Sequence, residues 1–146
     1  MILKTAGDRK IDVIIAGPPC QGFSVTGPRN FDDPRNKLYL AVIEMVKQYQ
    51  PKGFIIENVP GMANMYDGQV KDEVLRRFTE MGYNTDCKIL KACDYGVPQM
   101  RKRLVFMGVR KDIGNPHFPI PTFGPTTDRP YRTCREAISD LPTRLN

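Results

Sequence analysis

Histidine is nearly missing from this chain of 146 residues, with His117 the single example. The four cysteines, Cys20, Cys87, Cys93 and Cys134, form no Cys-x-x-Cys pair. A structural zinc site, which draws on closely spaced Cys and His ligands, is therefore not expected. A thiol hydrolase would need a histidine base beside its cysteine. His117 instead lies in a proline-rich stretch, far along the chain from Cys20. No apolar run approaches the roughly 20 residues needed to cross a bilayer, and no secretory signal is seen. These absences speak against a membrane partner and point to a reduced, cytoplasmic compartment. Repeats and low-complexity tracts are absent as well. What is present has an ordinary globular balance, 40% hydrophobic and 26% charged, enough for one domain with a real core. A net charge of +6 and a pI near 9.3 suit an anionic partner such as nucleic acid.

The first half alternates strands and helices. Asp12 to Ala16 is a β-branched apolar run stopped by Gly17-Pro18-Pro19, the pattern of a buried strand entering a loop. That loop, rich in Gly, Pro, Ser and Asn, lasts to about Asp33, a length usual for functional segments. Asp33-Pro34 reads as a helix cap and first turn. Leu38, Ala41, Val42, Met45, Val46 and Tyr49 then repeat at helical spacing, and Pro51 and Gly53 end the helix. Phe54 to Asn58 is the next strand. A second helix presents Val70, Val74, Leu75, Phe78 and Met81, with Gly82 as its stop. Strands near 83–90 and 104–109 follow, and the order predicts an α/β fold with a mostly parallel, partial Rossmann-like sheet. Residues 1–112 are assigned to this catalytic half. Residues 113–146 are assigned to a proline-rich, irregular connector, in which Thr133-Cys134-Arg135-Glu136 forms a capping box for a short helix.

Three clusters carry chemistry. Cys20 follows Pro18-Pro19 at the carboxyl end of the first strand, where ligands of open α/β sheets bind. A Pro-stiffened turn there can present its sulfur to a ligand, although a free cysteine is often only a small buried hydrophobe. Glu57 closes the second strand behind Phe54-Ile55-Ile56. Desolvation at such a place would favour the neutral acid, unless the side chain faces water. Gln99, Arg101 and Arg103 alternate ahead of the last strand, and at a strand period all three share one side. Arginine forks can hold a carbonyl oxygen, a phosphate or a carboxylate, while the plain reading of Arg-Lys-Arg is a charged loop edge.

Gly17-Pro18-Pro19-Cys20-Gln21-Gly22-Phe23-Ser24, then Glu57-Asn58-Val59, then Gln99-Met100-Arg101-Lys102-Arg103, in that order, resembles the cytosine carbon-5 DNA methyltransferase family. Asp94-Tyr95-Gly96-Val97-Pro98 and Asp33-Pro34-Arg35-Asn36-Lys37-Leu38-Tyr39 extend the likeness, which runs from about Asp12 to Leu141. The resemblance implies transfer of a methyl group from S-adenosylmethionine to carbon 5 of a cytosine flipped out of duplex DNA. It implies that Cys20 is the nucleophile adding to carbon 6. By the same likeness Glu57 binds the N3 and amino edge, Arg103 the O2 side, and Arg101 supports the cysteine loop or a phosphate. Pro18, Pro19, Leu38 and Asn58 would lie by the donor, with Asn58 also bracing the loops. Gln21, Ser24, Gln99 and Arg101 would face DNA. The segment from Gln21 to Phe31 is the candidate lid. The motif style resembles bacterial and phage enzymes of restriction–modification, working in the cytoplasm at the nucleoid.

The chain also departs from the family. Its glycine-rich donor-binding turn should precede the Pro-Cys block, yet eleven residues precede Asp12 and none forms Gly-x-Gly. The acidic residues that hold adenosine are reduced to Asp8. The carboxyl-terminal helix and most of the target-recognition domain are missing too. Three readings follow: a piece of a longer enzyme, a broken reading frame, or one partner of a split methyltransferase completed by a second chain. The isolated chain is expected to be inactive, to bind the donor weakly, and to self-associate through an exposed sheet edge. Two other functions remain open: an inactive nucleic-acid-binding remnant, and a tRNA cytosine methyltransferase of the same family. Gly22 leans toward the DNA branch.

Overall fold

The computed structural model describes residues 10–19 and 38–141. Four strands form one sheet: β1 (Val13–Ala16), β2 (Gly53–Asn58), β3 (Tyr83–Lys91) and β4 (Lys102–Arg110), in the order β1-β2-β4-β3. β1 and β2 are parallel, with Ala16 beside Ile56, whereas β2 and β4 are antiparallel, with Asn58 beside Leu104. The α/β class is as read from the sequence, but the sheet is mixed rather than mostly parallel. No crossover helix separates β3 from β4; only a 3₁₀ turn (Ala92–Tyr95) and a loop do, and a parallel return needs a longer connection. Helix α1 spans Leu38–Tyr49 and helix α2 spans Gln69–Glu80. The expected start of the first helix at Asp33-Pro34 lies outside the described residues.

Strand alternation decides the core. Ile14, Phe54, Ile56, Leu104 and Phe106 point to one face and are buried against Val42, Ile43 and Val46 of α1 and Val74 and Phe78 of α2. The buried stripe of α1 is rotated from the expected one, because Ile43 is buried while Ala41 is exposed and Leu38 is 39% exposed. Burying Ile43 removes more apolar area than burying an alanine would. On the opposite face Val13 and Ile15 stay exposed, and β1 stands at the sheet edge.

Pro60–Gly68 forms 3₁₀ turns broken by a kink at Met65–Asp67, where Tyr66 and Asp67 take φ of 46° and 55°. Nothing in the sequence signals this kink. Gly82, at φ 92°, closes the end of α2 in the left-handed region as expected.

The chain divides into two units. One comprises residues 1–89 and 103–117, the other 90–102 and 118–146. The second unit has little regular structure apart from the 3₁₀ turn and helix α3 (Cys134–Ile138), whose Thr133–Glu136 capping box is formed in both directions. It is nonetheless ordered by its own bonds. Thr122 and Phe123 donate their N–H groups to the Asp94 carbonyl at 2.9 and 3.0 Å, and the Tyr131 hydroxyl donates to Asp94 Oδ1 at 3.0 Å.

Candidate active site

Because β1 and β2 are parallel and β4 opposes β2, the carboxyl ends of β1 and β2 meet the start of β4. Glu57 lies opposite Val105, which puts Arg103 diagonally across on the same face of the sheet. Arg103 Nε reaches Glu57 Oε1 at 2.5 Å. Their side chains are 26% and 44% exposed, so the pair is open to solvent on one side. Charge-assisted bonds of this kind hold both groups in a defined orientation. Gly17, just past β1, completes this corner: a Cβ there would stand 3.5 Å from Glu57 Oε2. Strand sequence alone does not announce Gly17 as a neighbour of Glu57; the Ala16–Ile56 register does.

Asn58 turns the other way and is 3% exposed. Its Nδ2 donates to the Pro18 carbonyl at 3.4 Å, and its Oδ1 accepts the Val59 N–H at 2.8 Å. Consecutive residues of β2 therefore do different work, Glu57 facing the open side and Asn58 tying down the β1 turn. The apolar surround expected for Glu57 is not there. Phe54 and Ile56 project to the opposite face, and Glu57 meets a guanidinium instead.

Pro18 is half-buried, Pro19 is exposed, and Leu38 is the first residue of α1. Gln99 and Arg101 belong to the second unit and are exposed. Gln99 sits in a bend, and the strand alternation begins only at Lys102, so the anticipated three-residue row is reduced to Arg103 in β4. Cys20, Gln21 and Ser24, with the expected lid, lie outside the described residues. Both polar side-chain atoms of Asn58 are engaged by backbone, so Asn58 secures the turn at Pro18.

The α/β fold matches that of a solved methyltransferase structure, and sequence comparison names the branch. Residues 3–145 match the model of the C-5 cytosine-specific DNA methylase family, and the chain belongs to that family. It is 46% identical over 136 residues to the Type II methyltransferase M.BsuRI of Bacillus subtilis, covering 92% of this chain and 31% of that relative. It is 44% identical over 148 residues to M1.HphI of Haemophilus parahaemolyticus, covering 99% and 38%. With M.AquIA of Picosynechococcus it shares 37% identity, over 91% of this chain and 61% of the relative. The first two of these relatives are about three times as long as the stretch they share with this chain. Among solved structures, an E. coli protein described as a prophage-encoded DNA modification methyltransferase superposes with a TM-score of 0.75 at 33% identity, over 99% of this chain and 40% of that one.

Proposed function

We propose that this chain carries the base-directed half of a DNA cytosine-5 methyltransferase site, with S-adenosylmethionine as methyl donor. The observation that supports this most is the Glu57–Arg103 pair beside Gly17, three residues before Cys20. Family membership and relatives that are Type II methyltransferases support DNA as the acceptor and a restriction–modification setting at the nucleoid.

Carbon 5 of cytosine is a weak nucleophile. The Cys20 thiolate adds to carbon 6, forming a carbon–sulfur bond and driving the ring electron pair toward carbon 5 and the N3–O2 side. Arg103 offsets the charge that builds at O2, and the Glu57 carboxyl holds the N3 and amino edge. Gln21, Ser24, Gln99 and Arg101 are assigned to the DNA, Arg101 to a phosphate. Pro18 and Pro19, held by Asn58, wall the pocket, with Leu38 on the donor side. S-adenosylmethionine, when bound, would supply an electrophilic methyl group, which carbon 5 would take with its electron pair while S-adenosylhomocysteine leaves. Loss of the carbon 5 proton to a base lets the carbon–sulfur bond break, and the thiolate is restored. The target base must leave the helix stack for this chemistry.

Tested by themselves, these 146 residues, among which no Gly-x-Gly occurs, are expected to bind donor weakly and to transfer methyl groups slowly. The exposed Val13 and Ile15 of the edge strand β1 support self-association, read out by sedimentation at rising concentration.

Cysteine addition does not need the donor, because carbon 5 of the adduct can take a solvent proton and then lose its original hydrogen. Duplex DNA carrying tritium at cytosine carbon 5 should release label with this chain, alone or with the complementing segment, and Cys20→Ser should release none. Label release unaffected by Cys20→Ser would refute the covalent route. Methyl transfer to tRNA in preference to duplex DNA would refute the acceptor.

A further inference from the structure

In the second unit the Phe123 ring lies over Gly96, where an added Cβ would come within 2.6 Å of it, and Gly96 itself has φ 82°. The loop that follows is pinned at both ends. Phe123 N–H is bonded to Asp94, Gly124 N–H donates to the Arg129 carbonyl at 2.8 Å, and Tyr131 donates to the Asp94 carboxylate. Two arginines leave this fixed backbone toward the same ring. The guanidinium carbons of Arg129 and Arg132 lie 5.7 and 5.6 Å from the Phe123 centroid. Whichever faces they take, they are within about 11 Å of each other, both at cation–π range of one ring.

Both side chains are exposed, and neither forms an ion pair among the described residues. Glu136, whose charge Arg132 feels, is occupied in its capping box, accepting from Thr133 N at 2.6 Å and from its hydroxyl at 3.1 Å. Asp128, next to Arg129, lines a shallow groove of about 440 Å³ with Pro130 and Tyr131. The unit as a whole holds seven basic residues against four acidic ones, half of the chain's net charge of +6. Two like charges gathered on one ring, neither of them in an ion pair among the described residues, form a receptor for anions. Phosphates of one DNA strand recur every roughly 3.4 Å along the helix axis, so two guanidiniums no more than about 11 Å apart can both meet phosphates of one strand.

We propose that Arg129 and Arg132, oriented by Phe123, grip the phosphate backbone of duplex DNA as a sequence-independent anchor. The proposal rests on DNA as the acceptor but not on the chemistry at Cys20. Its test is binding of the chain to a fluorescent duplex across a salt series. Each of Arg129→Gln and Arg132→Gln should weaken binding several-fold at about 0.1 M salt and reduce the slope of log affinity against log salt by about one. The double Lys variant should keep the wild-type slope, because the charges remain. Thermal melting of each variant separates a packing role: a lower melting temperature with an unchanged slope overturns the proposal, as does an unchanged slope with unchanged melting. Absence of salt-dependent duplex binding by the wild-type chain overturns it as well. Tritium release keeps the two readings apart. Salt-dependent binding lost in the double Gln variant, with no label release by the wild-type chain, leaves the anchor standing and removes the proposed chemistry. Label release by the wild type with an unaltered slope in the double Gln variant does the reverse.

Discussion

Replacing Asn58 probes how the sheet governs the turn leading to Cys20. Its side chain is buried and makes two bonds, to the Pro18 carbonyl at 3.4 Å and from the Val59 N–H at 2.8 Å. Asn58→Ala removes both. Leaving one buried donor unpaired costs about 1–3 kcal/mol, and the long Pro18 bond adds at most about 0.5 kcal/mol. The expected loss is about 2 kcal/mol, which at a urea slope near 1–3 kcal/mol per molar lowers the unfolding midpoint by about 1 M. Asn58→Asp is a sharper probe. It keeps the acceptor for Val59 but turns a carboxylate oxygen toward the Pro18 carbonyl, so at neutral pH two acceptors face each other. A protonated carboxyl can donate there, so the Asp variant should regain stability as the solution is acidified. Because Pro18 stands two residues before Cys20, both variants should also release label from tritiated cytosine about ten-fold more slowly than wild type, measured where they remain folded. A wild-type urea midpoint together with a wild-type release rate in Asn58→Ala would refute this account of the turn.

Two further outcomes test the fold. Gly108→Ala would place a Cβ 2.2 Å from the Phe54 ring, which cannot retreat because Phe78 stacks on it at 4.0 Å and Tyr83 lies at 5.4 Å. Overpacking of this kind costs about 1–3 kcal/mol and should appear as a drop of several degrees in thermal melting. In the second unit the bond to the Asp94 carboxylate holds the Tyr131 phenol above its ordinary value of 10.0. The folded state then keeps that proton more tightly than the unfolded chain does. The stabilisation is full below pH 10 and is lost as pH rises through the folded value. Burial raises Tyr83 and Tyr95 as well, so absorbance of tyrosinate in an alkaline titration should show several late-titrating tyrosines, and part of that late amplitude should move earlier in Asp94→Asn.

Local features were readable one window at a time. The Asp12 to Ala16 run, the Val74–Phe78 stripe, the Gly82 stop and the Thr133 capping box all appear in the structure within a residue or two of where their side-chain periods put them. The face of α1 is not legible locally, because Ala41 and Ile43 both satisfy helical spacing, and only the facing sheet selects between them. Proline density makes residues 113–146 read as an irregular connector with one short helix. It is irregular in backbone but organised, because Asp94 gathers Thr122, Phe123 and Tyr131 from a distant part of the chain.

By itself the amino-acid order determined the element types, the family and the identity of the chemical groups at the candidate site, since each depends on residues close together or on motif wording. Which groups meet was decided only in three dimensions. The antiparallel register of β2 and β4 sets Arg103 against Glu57, and the parallel register of β1 brings Gly17 to the same corner. A one-residue slip would turn either side chain to the other face, and no short stretch of sequence contains the information that forbids it.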